Sequence, residues 1–190
     1  MAELNQQALD FLLARRSRPA KTLVEPGPNK ASLKTILTAA ARTPDHGKLE
    51  PWRFIVLSKK TLSRLAEQVS ARGQILGFDE DQIAKARRSY DTGPMAVAVV
   101  EIQKPSEKIP AVEQTYSAGA VCLALLNAAL AQGWGANWLS GWPSHDREFI
   151  KNAFSLSDNE RIAGLIYIGT ETARPPERAR PNLQDIVTWL

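Results

Sequence analysis

The sequence predicts a protein of mixed α and β structure, either α+β or α/β. Three apolar segments rich in β-branched residues, at 52–58, 95–102 and 161–170, are predicted strands. The segments between them carry apolar residues at helical spacing, and strands that alternate with such helices are typical of a sheet covered by helices. The 190 residues contain no internal repeat and no long linker, so we expect one domain spanning 1–190, alone or as half of an obligate dimer.

Two helices are predicted before the first strand. Residues 4–14 place leucine and alanine at helical spacing. The PGPN segment at 26–29 predicts a turn, and either Asn29 or Ser32 can cap the helix after it. The apolar side chains of this second helix repeat at i, i+3, i+4 and i+7 from Leu33 to Ala40.

The central part of the chain predicts two further helices and a buried strand. Residues 60–72 place their apolar side chains on one face. Residues 78–90 predict a charged helix that begins with acidic residues, as the helix dipole prefers. The turn DTGP at 91–94 then leads into the strand MAVAVVEI at 95–102.

The most apolar helix pattern runs from about Val112 to Gln132. At about 1.5 Å per residue this helix would be roughly 30 Å long, the width of a small domain. Its side chains are small and apolar almost all round, which predicts a buried helix that another helix can approach closely. Its most apolar part, 118–131, is shorter than the about 20 residues that a membrane span needs, so we expect no membrane span.

The C-terminal part predicts a helix stop and short strand at 133–141, a short helix at 146–154 and the buried strand at 161–170. The chain ends in IVTWL, which has the β-branched and aromatic character of a strand. A hydrophobic last strand needs an edge to pair with, and a partner subunit is one way to supply that edge.

Composition leaves the class of ligand open. The net charge is +4 and the pI is near 9.3, with the positive excess concentrated at 15–21 and 174–180. A protein that binds single-stranded nucleic acid would carry aromatic residues between its basic residues, and these clusters contain none. Compact basic clusters suit a small phosphorylated ligand equally well.

A lone cysteine, Cys122, excludes an intramolecular disulfide. Because the N-terminal residues do not resemble a signal peptide, we expect a cytoplasmic protein.

Several familiar active sites are not supported by their motifs. No G-x-G-x-x-G follows a predicted strand, which argues against a Rossmann dinucleotide site. Arg42 stands where a P-loop ending at Gly47-Lys48 would begin with glycine, and Trp138 stands where a nucleophile elbow would begin with glycine. Two histidines and one cysteine, far apart in sequence, give no metal-ligand spacing. Neither hydrolytic nor metal-dependent chemistry is therefore predicted.

Three segments taken together resemble the FMN-dependent nitroreductase family, in particular its small YdjA-like branch. They are ARRSR at 14–18, AARTPDHGKLEPWRFIVL at 40–57 and LAQGWGANWLSG at 130–141. The second is similar to the family's A-P-(S/D)-x-x-N-x-Q-P-W-x-F connection. Together with GLIYIGT at 164–170, these segments cover most of the chain in the order that the family shows.

The resemblance implies a nitroreductase-like α+β fold, with a central mixed sheet flanked by helices, in an intertwined homodimer. It implies that the long helix lies at the subunit interface and that the C-terminal strand is exchanged with the partner. It also implies FMN at the dimer interface, so that each site needs both chains, and NAD(P)H as the reductant.

The resemblance assigns the phosphate and ribityl chain of FMN to Arg15, Arg16 and Ser17. Guanidinium groups pair bidentately with phosphate, although a solvated helix C-terminus would carry the same residues. Arg42 and His46 match positions that contact FMN. An arginine near the pyrimidine edge can stabilise the negative charge that reduction places on the ring, whereas a solvated loop histidine is the plain alternative for His46.

Trp138, Leu139 and Ser140 match a strand end that meets the flavin, with an ordinary core aromatic as the alternative for Trp138. Lys48 and Glu50 stand where relatives often carry Asn and Gln. The remaining implied contacts are Gly169, Thr170 and at least one of Arg174, Arg178 and Arg180 for the phosphate, and Ala128, Ala129, Leu130, Ala131, Gln132 and Gly133 for NAD(P)H. Helix burial explains the segment 128–133 equally well.

The resemblance thus predicts an FMN-dependent oxidoreductase with ping-pong kinetics. A hydride passes from NAD(P)H to the flavin, and a nitroaromatic, quinone or related small-molecule acceptor then takes the reducing equivalents. Because the cofactor performs the chemistry, no catalytic acid, base or nucleophile is predicted. Two alternatives stay open: flavin-destructase or dehalogenase chemistry, for which only 72–93 could supply a lid, and a non-catalytic protein that binds flavin or nucleic acid.

Overall fold

Five strands form one sheet in the computed structural model, which describes residues 3–190. The strands are β1 (Leu23–Val24), β2 (Trp52–Ser58), β3 (Met95–Ile102), β4 (Gly135–Leu139) and β5 (Glu160–Glu171). β5 pairs with β1, β3 and β4, and β3 pairs with β2. All these pairings are antiparallel. The mixed sheet implied by the resemblance is therefore not formed by the strand pairs described within one protomer.

Helices cover both faces of the sheet. Those in residues 3–190 are α1 (Gln6–Ala14), α2 (Lys30–Ala40), α3 (Lys59–Ile75), α4 (Glu80–Asp91), α5 (Ala111–Ala131), α6 (Trp142–His145), α7 (Arg147–Phe154) and α8 (Leu183–Ile186). Local capping explains their first residues. Asn29 caps α2, and Asp79 forms a capping box with Gln82 at the start of α4. Asp146 is extended and caps α7, which separates α7 from the single turn α6.

Side-chain alternation along the strands divides the core into two layers. Ala98, Leu165 and Tyr167 pack with α3, α4 and α7 on one face. Val99 and Ile166 pack with α2 and α5 on the other face. Because β3 and β5 are buried on both faces, their sequences are apolar without interruption rather than alternating.

The long helix α5 is a core helix along one face and is apolar on the opposite face as well. Its buried residues, among them Val121 and Leu125, pack against the sheet and α2. By length and composition the whole helix of 21 residues could cross a membrane; the apolar run 118–131, on which the expectation of no membrane span rests, is only part of it. The helix instead packs inside the protein, with 44% of its most apolar window buried. Its other face leaves Tyr116 69% and Leu123 44% exposed.

The two ends of the chain contribute little to the core of one protomer. α1 has no buried residue, although Leu12 and Leu13 lie on it. The final strand predicted for IVTWL does not form: α8 ends at Ile186, and the last four residues belong to no helix or strand. Trp189 is 92% exposed. A strand needs a neighbouring edge, and this segment pairs with none of the strands in residues 3–190, although β2 is an edge strand that pairs with β3 alone.

A buried carboxylate ties β3 to β5 and α5. Glu101 is 2% exposed and accepts hydrogen bonds from the Arg161 guanidinium at 2.5 and 2.8 Å, from the Thr115 hydroxyl at 2.8 Å and from the Gln103 amide. Burial alone would raise the pKa of Glu101, but these donors hold that pKa below its ordinary value. The resulting stabilisation is therefore present above the unfolded pKa of about 4.3 and is lost as pH falls through the lower folded pKa.

We expect Arg161→Met to lower the free energy of unfolding by about 2–4 kcal/mol at pH 7, because Glu101 stays buried without its main partner. The Arg161 side chain is 54% exposed, so the loss should be smaller than for a fully buried pair. The loss should shrink towards pH 4, where Glu101 of the variant is protonated. Urea unfolding at both pH values measures it. The double variant Glu101→Leu/Arg161→Met should regain most of the stability, and equal losses at both pH values would contradict this account.

Candidate functional site

A cleft of about 320 Å³ lies where the segment after α1 meets the ends of α5 and β5. We call it the arginine cleft. Its walls include Arg15, Arg16, Arg18, Leu130, Gly133 and Arg174. The C-terminal tail returns to this place, because Arg16 donates a hydrogen bond to the Pro176 carbonyl at 2.9 Å. The two basic clusters of the sequence thus meet in one part-buried cleft.

Positive charge exceeds negative charge in the arginine cleft. The guanidinium groups are those of Arg15, Arg16, Arg18, Arg174 and Arg180, and the carboxylates are Glu171 and Glu177, which leaves three positive charges in excess. Arg18 pairs with Glu171, and Arg180 pairs with Glu177 at 2.8 Å. Arg15 has no such partner: burial and the charges of Arg180, Arg16 and Arg18 all lower its pKa. An anion bound here would relieve this repulsion.

Two guanidinium donors in the cleft are unused. Nε of Arg15 and Nε of Arg16 are buried, and neither donates a hydrogen bond within residues 3–190. The other edge of Arg15 donates to the Ser17 hydroxyl at 3.2 Å. A buried donor without a partner costs about 1–3 kcal/mol. A phosphate, which accepts bidentate hydrogen bonds from guanidinium groups, would satisfy both donors, so the residues present fit the phosphate of a flavin mononucleotide.

Backbone hydrogen bonds hold the arginine segment beside β4. α1 ends at Ala14, and Arg15 is extended, with φ −60° and ψ 139°. The Arg18 N–H donates to the Ala136 carbonyl at 2.8 Å, and the Asn137 side chain donates to the Arg18 carbonyl at 2.7 Å. β4 therefore begins at the arginine cleft and leads along the sheet to Ser140.

A second cavity, of about 420 Å³, lies at the far end of β4. We call it the Ser140 cavity. Its walls include Phe78, Lys85, Tyr90, Leu139, Ser140 and Trp142. The rings of Phe78 and Trp142 meet edge to face with centroids 5.0 Å apart. Gln82 also lines it, one turn before Lys85 on α4, so an amide and an ammonium group stand beside an aromatic wall.

Two polar atoms of the Ser140 cavity are buried without a hydrogen-bond partner among the described residues. They are the Tyr90 hydroxyl and Trp142 Nε1. Tyr90 is 2% exposed, and burial raises its pKa. The nearby Ser144 hydroxyl partly offsets this rise of the Tyr90 pKa, but the two hydroxyl groups are not in hydrogen-bond geometry. A planar, largely apolar ligand that carries hydrogen-bond acceptors would suit this cavity.

His46 and Arg42 lie at the opposite end of α5 from the arginine cleft. His46 Nδ1 is 2.7 Å from the Glu113 carboxylate, whereas the cleft includes Leu130. Glu113 and Leu130 are roughly 25 Å apart along the helix axis at about 1.5 Å per residue. Arg42 is exposed and makes no side-chain hydrogen bond within residues 3–190. One protomer therefore does not bring these two predicted contacts to Arg15.

The connection that carries His46 is strained. Its residues with left-handed backbone are Gly47 (φ 70°), Lys48 (φ 54°) and Glu50 (φ 47°). For a residue with a Cβ this conformation costs about 1–2 kcal/mol. Two contacts hold it: the Glu50 N–H donates to the Asp45 carboxylate at 3.0 Å, and the Ser117 hydroxyl donates to the Pro44 carbonyl at 3.1 Å. Strain maintained in this way is typical of a binding segment.

Alternation along β4 separates Trp138 from Leu139. Leu139 packs with the α3 layer and lines the Ser140 cavity. Trp138 pairs across the sheet with Ile166 on the α5 face and covers Gly164, where a Cβ would stand 2.1 Å from the indole Nε1. The Trp138 side chain is therefore outside the Ser140 cavity and packs on the bare backbone of β5.

The segment 128–133 divides between the core and the cleft. Ala129 is fully buried, and the side-chain amide oxygen of Gln132 accepts a hydrogen bond from the Ser32 hydroxyl at 2.5 Å. Leu130 and Gly133 line the arginine cleft. Only part of this predicted NAD(P)H segment thus faces a ligand-sized space within the protomer.

Of the late residues, Arg174 and Arg180 come to the arginine cleft. Arg178 is exposed, and its side chain makes no hydrogen bond within residues 3–190; only its N–H donates, to Glu177. Gly169 is buried in β5, opposite Gly135 of β4, where it permits close approach of Val24. Thr170 donates to the Pro26 carbonyl at 2.8 Å.

Most residues that line the Ser140 cavity are not predicted from the sequence, among them Gln82, Lys85, Tyr90 and Trp142. The charged pattern of α4 predicts a surface helix, and only Ala86 and Tyr90 of α4 are buried. The available signal is the spacing of Gln82, Lys85 and Ser89, which puts polar side chains on one face of the helix. Spacing does not reveal what that face approaches.

The chain is similar to known proteins over most of its length. The sequence profile of the Nitroreductase family matches residues 13–170. A relative from Escherichia coli (strain K12), named "Putative NAD(P)H nitroreductase YdjA", is 35% identical over 163 residues, which are 86% of this chain and 87% of that relative.

Solved structures share the fold. The nitroreductase-like family protein from Bacillus cereus has a TM-score of 0.79 at 22% identity and covers 100% of this chain and 98% of its own. A "putative nitroreductase in complex with FMN" from Desulfovibrio desulfuricans has a TM-score of 0.75 at 18% identity, over 100% of this chain and 98% of its own. The nitroreductase-like fold is thereby confirmed.

We expect Gly164→Ala to displace Trp138 and to lower the free energy of unfolding by about 1–3 kcal/mol, because the new methyl group overlaps the indole. Tryptophan fluorescence and urea unfolding would show both effects. The double variant Gly164→Ala/Trp138→Leu leaves room for the methyl group and should regain most of the stability. A single variant as stable as the parent protein would show that Trp138 does not rest on Gly164.

Proposed function

Because the chain belongs to the nitroreductase family, we propose that it is an FMN-dependent oxidoreductase that takes a hydride from NAD(P)H and passes it to a small acceptor. The acceptors would be nitroaromatics, quinones or related compounds. The observation that carries the proposal is the arginine cleft, with three positive charges in excess and two unused guanidinium donors. The aromatic Ser140 cavity at the other end of β4 supports it.

In this proposal the phosphate of FMN binds in the arginine cleft. Arg15 and Arg16 supply the unused Nε donors, the Ser17 hydroxyl adds a further donor, and Arg180 adds charge. A bound phosphate would offset the positive charges of Arg16, Arg18 and Arg180 around Arg15. Arg174, which lies on the cleft wall, serves as a peripheral charge.

The ring of FMN then lies towards Ser140, since β4 leads from one cavity to the other. Lys85 and Gln82 face that cavity, so the Lys85 ammonium would stabilise the negative charge that reduction places on the pyrimidine edge. This is the role that the resemblance suggests for Arg42, which a single protomer does not bring there. When bound, the flavin supplies the hydride chemistry, and the side chains bind it, orient it and exclude water.

We further propose that the active unit is a homodimer of single-domain chains, located in the cytoplasm. One protomer leaves three apolar surfaces exposed: α1, the outer face of α5 and the C-terminal segment with Trp189. Such surfaces are typical of subunit interfaces. Exchange of the final segment would supply the pairing edge that it lacks. His46, roughly 25 Å from the arginine cleft of its own chain, would then contribute to the partner's site.

Both substrates would use the same open face of the flavin in turn, which gives ping-pong kinetics.

Flavin-destructase or dehalogenase chemistry would need a lid formed by the segment 72–93. In the structure this segment forms the end of α3 and the helix α4. These two helices pack closely, since a Cβ at Gly73 would stand 2.7 Å from Ile83.

The nucleic-acid alternative is not favoured by the charge distribution. The basic clusters meet in a cleft with two carboxylates rather than along an open strip that a nucleic acid could follow.

We expect the purified protein to be yellow and to lose its visible absorbance when NADH or NADPH is added without oxygen. Arg15→Gln should weaken FMN binding about 10–100-fold, because it removes a charged donor to phosphate worth about 1.5–3 kcal/mol. Fluorescence quenching of added FMN measures the affinity. Arg64→Gln, the same change at an exposed position on α3, is the control and should bind like the parent. A colourless protein that ignores FMN would contradict the proposal.

We expect Leu123→Glu to convert the dimer into monomers and to weaken FMN binding at least tenfold, because the charge would be placed in the proposed α5 interface. Sedimentation velocity measures the first effect and FMN titration the second. Ile75→Glu makes the same change at a side chain that is 74% exposed on α3 and should leave both properties intact. A Leu123→Glu protein that remains a flavin-binding dimer would exclude this interface.

A further inference from the structure

Ser140 and His145 form a hydrogen-bonded pair between two separate openings. Ser140 Oγ and His145 Nε2 are 3.0 Å apart. Ser140 lines the Ser140 cavity, whereas His145 lines a different cleft of about 360 Å³ together with Arg147, Asp158 and Arg161. The pair therefore connects the proposed flavin cavity with a second opening at the surface.

The fold holds this pair in place from both sides. Gly141 and the single turn α6 return the chain so that His145 meets Ser140 five residues earlier. Ser144, just before the histidine, is 3% exposed. Asp146, just after it, accepts two hydrogen bonds from Arg72, at 2.8 and 3.1 Å, and one from the Phe149 N–H at 2.7 Å. Buried or paired neighbours therefore fix the backbone on both sides of His145, while the imidazole itself lies at the surface.

The charged groups around His145 are already paired with one another. In its cleft, Arg161 binds Glu101, Arg147 binds Asp158 at 3.1 Å, and Glu160 binds Arg53 at 2.6 Å. Lys85 faces the Ser140 side from α4. Among the ion pairs of residues 3–190, none involves His145. No carboxylate of the described residues therefore forms an ion pair with the ring, which is exposed to solvent in this cleft.

We propose that Ser140 and His145 relay a proton from solvent to the reduced acceptor. The inference rests on the proposed function and deepens it, because two-electron reduction needs a proton as well as a hydride. If FMN covers Ser140, water no longer reaches that hydroxyl from the cavity, whereas His145 still faces the other cleft. Ser140 is then the proton donor in the site, and His145 is a positioning residue that also restores the proton.

With a quinone as acceptor the step balances as follows. When bound and reduced by NAD(P)H, FMN would supply a hydride that forms an O–H bond at one quinone oxygen and leaves negative charge on the other. The Ser140 O–H bond breaks, and its proton forms the second O–H bond. Ser140 takes a proton from His145 Nε2, and His145 takes one from water. The quinone is reduced by two electrons to the hydroquinone, and NAD(P)H is oxidised to NAD(P)⁺.

The test separates the two half-reactions by rapid mixing of the FMN-loaded protein. We expect His145→Gln to change flavin reduction by NADH less than about twofold, since that step needs only a hydride. Reoxidation by 1,4-benzoquinone should fall about 100-fold, the low end of general acid catalysis. It should also lose the pH dependence that a proton relay would give to the reoxidation rate of the parent. Added imidazole should restore part of the rate of His145→Ala.

Conservative changes at the serine give the matched control. Ser140→Ala should reproduce the His145→Gln profile, whereas Ser140→Thr keeps a hydroxyl and should retain most of the reoxidation rate. A readout without flavin is the imidazole NMR titration of the apoprotein. Ser140→Ala should shift the His145 resonances, because the hydrogen bond exists before the cofactor binds.

The outcomes separate failure of the relay from failure of the proposed function. A His145→Gln protein in which both half-reactions slow equally, or in which the pH profile is unchanged, would show a structural role only. Reoxidation of the parent protein that is independent of pH would also exclude the relay. A parent protein that neither holds FMN nor oxidises NAD(P)H would overturn the proposed function, and the relay with it.

Discussion

The crowding of guanidinium groups around Arg15 is the constraint on which the rest of the site depends. Burial and three like charges all lower the pKa of Arg15, and its Nε donor is unused within residues 3–190. Glu171 and Glu177 offset only part of the charge. Glu177 and Arg180 come from the C-terminal tail, so the charge balance around Arg15 depends on where that tail packs.

The antiparallel sheet places the two halves of the candidate site at opposite ends of one short strand. β4 leads from the arginine cleft to the Ser140 cavity, and both ends are held by β5, the strand with most partners. Because side chains alternate along β4, neighbouring residues lie on opposite faces of the sheet. Leu139 faces the cavity, whereas Trp138 packs across Gly164. In the proposed function, a rigid element of this kind would keep the phosphate group and the ring of the cofactor at a constant separation.

Parts of the site follow from local sequence, and parts do not. The segment Arg15–Ser17 follows a helix end and was predicted to bind phosphate; the structure gathers Arg15 and Arg16 in one cleft with Arg180. Lys85 could not be assigned, because the pattern of α4 specifies a polar face without specifying its neighbour. The final segment IVTWL has strand character but pairs with none of the described strands, so local preference alone does not make it a strand.

The sequence by itself determined the elements whose signals lie within a few residues: the caps at Asn29 and Asp79, the buried strands and the length of α5. It also determined the family, through motifs that keep their order along the chain. The tertiary structure alone decided which distant groups meet, such as Arg16 with Pro176 and Ser140 with His145. The physical reason is that caps and periodicity act between near neighbours, whereas charge balance and cavity lining depend on segments that only packing brings together.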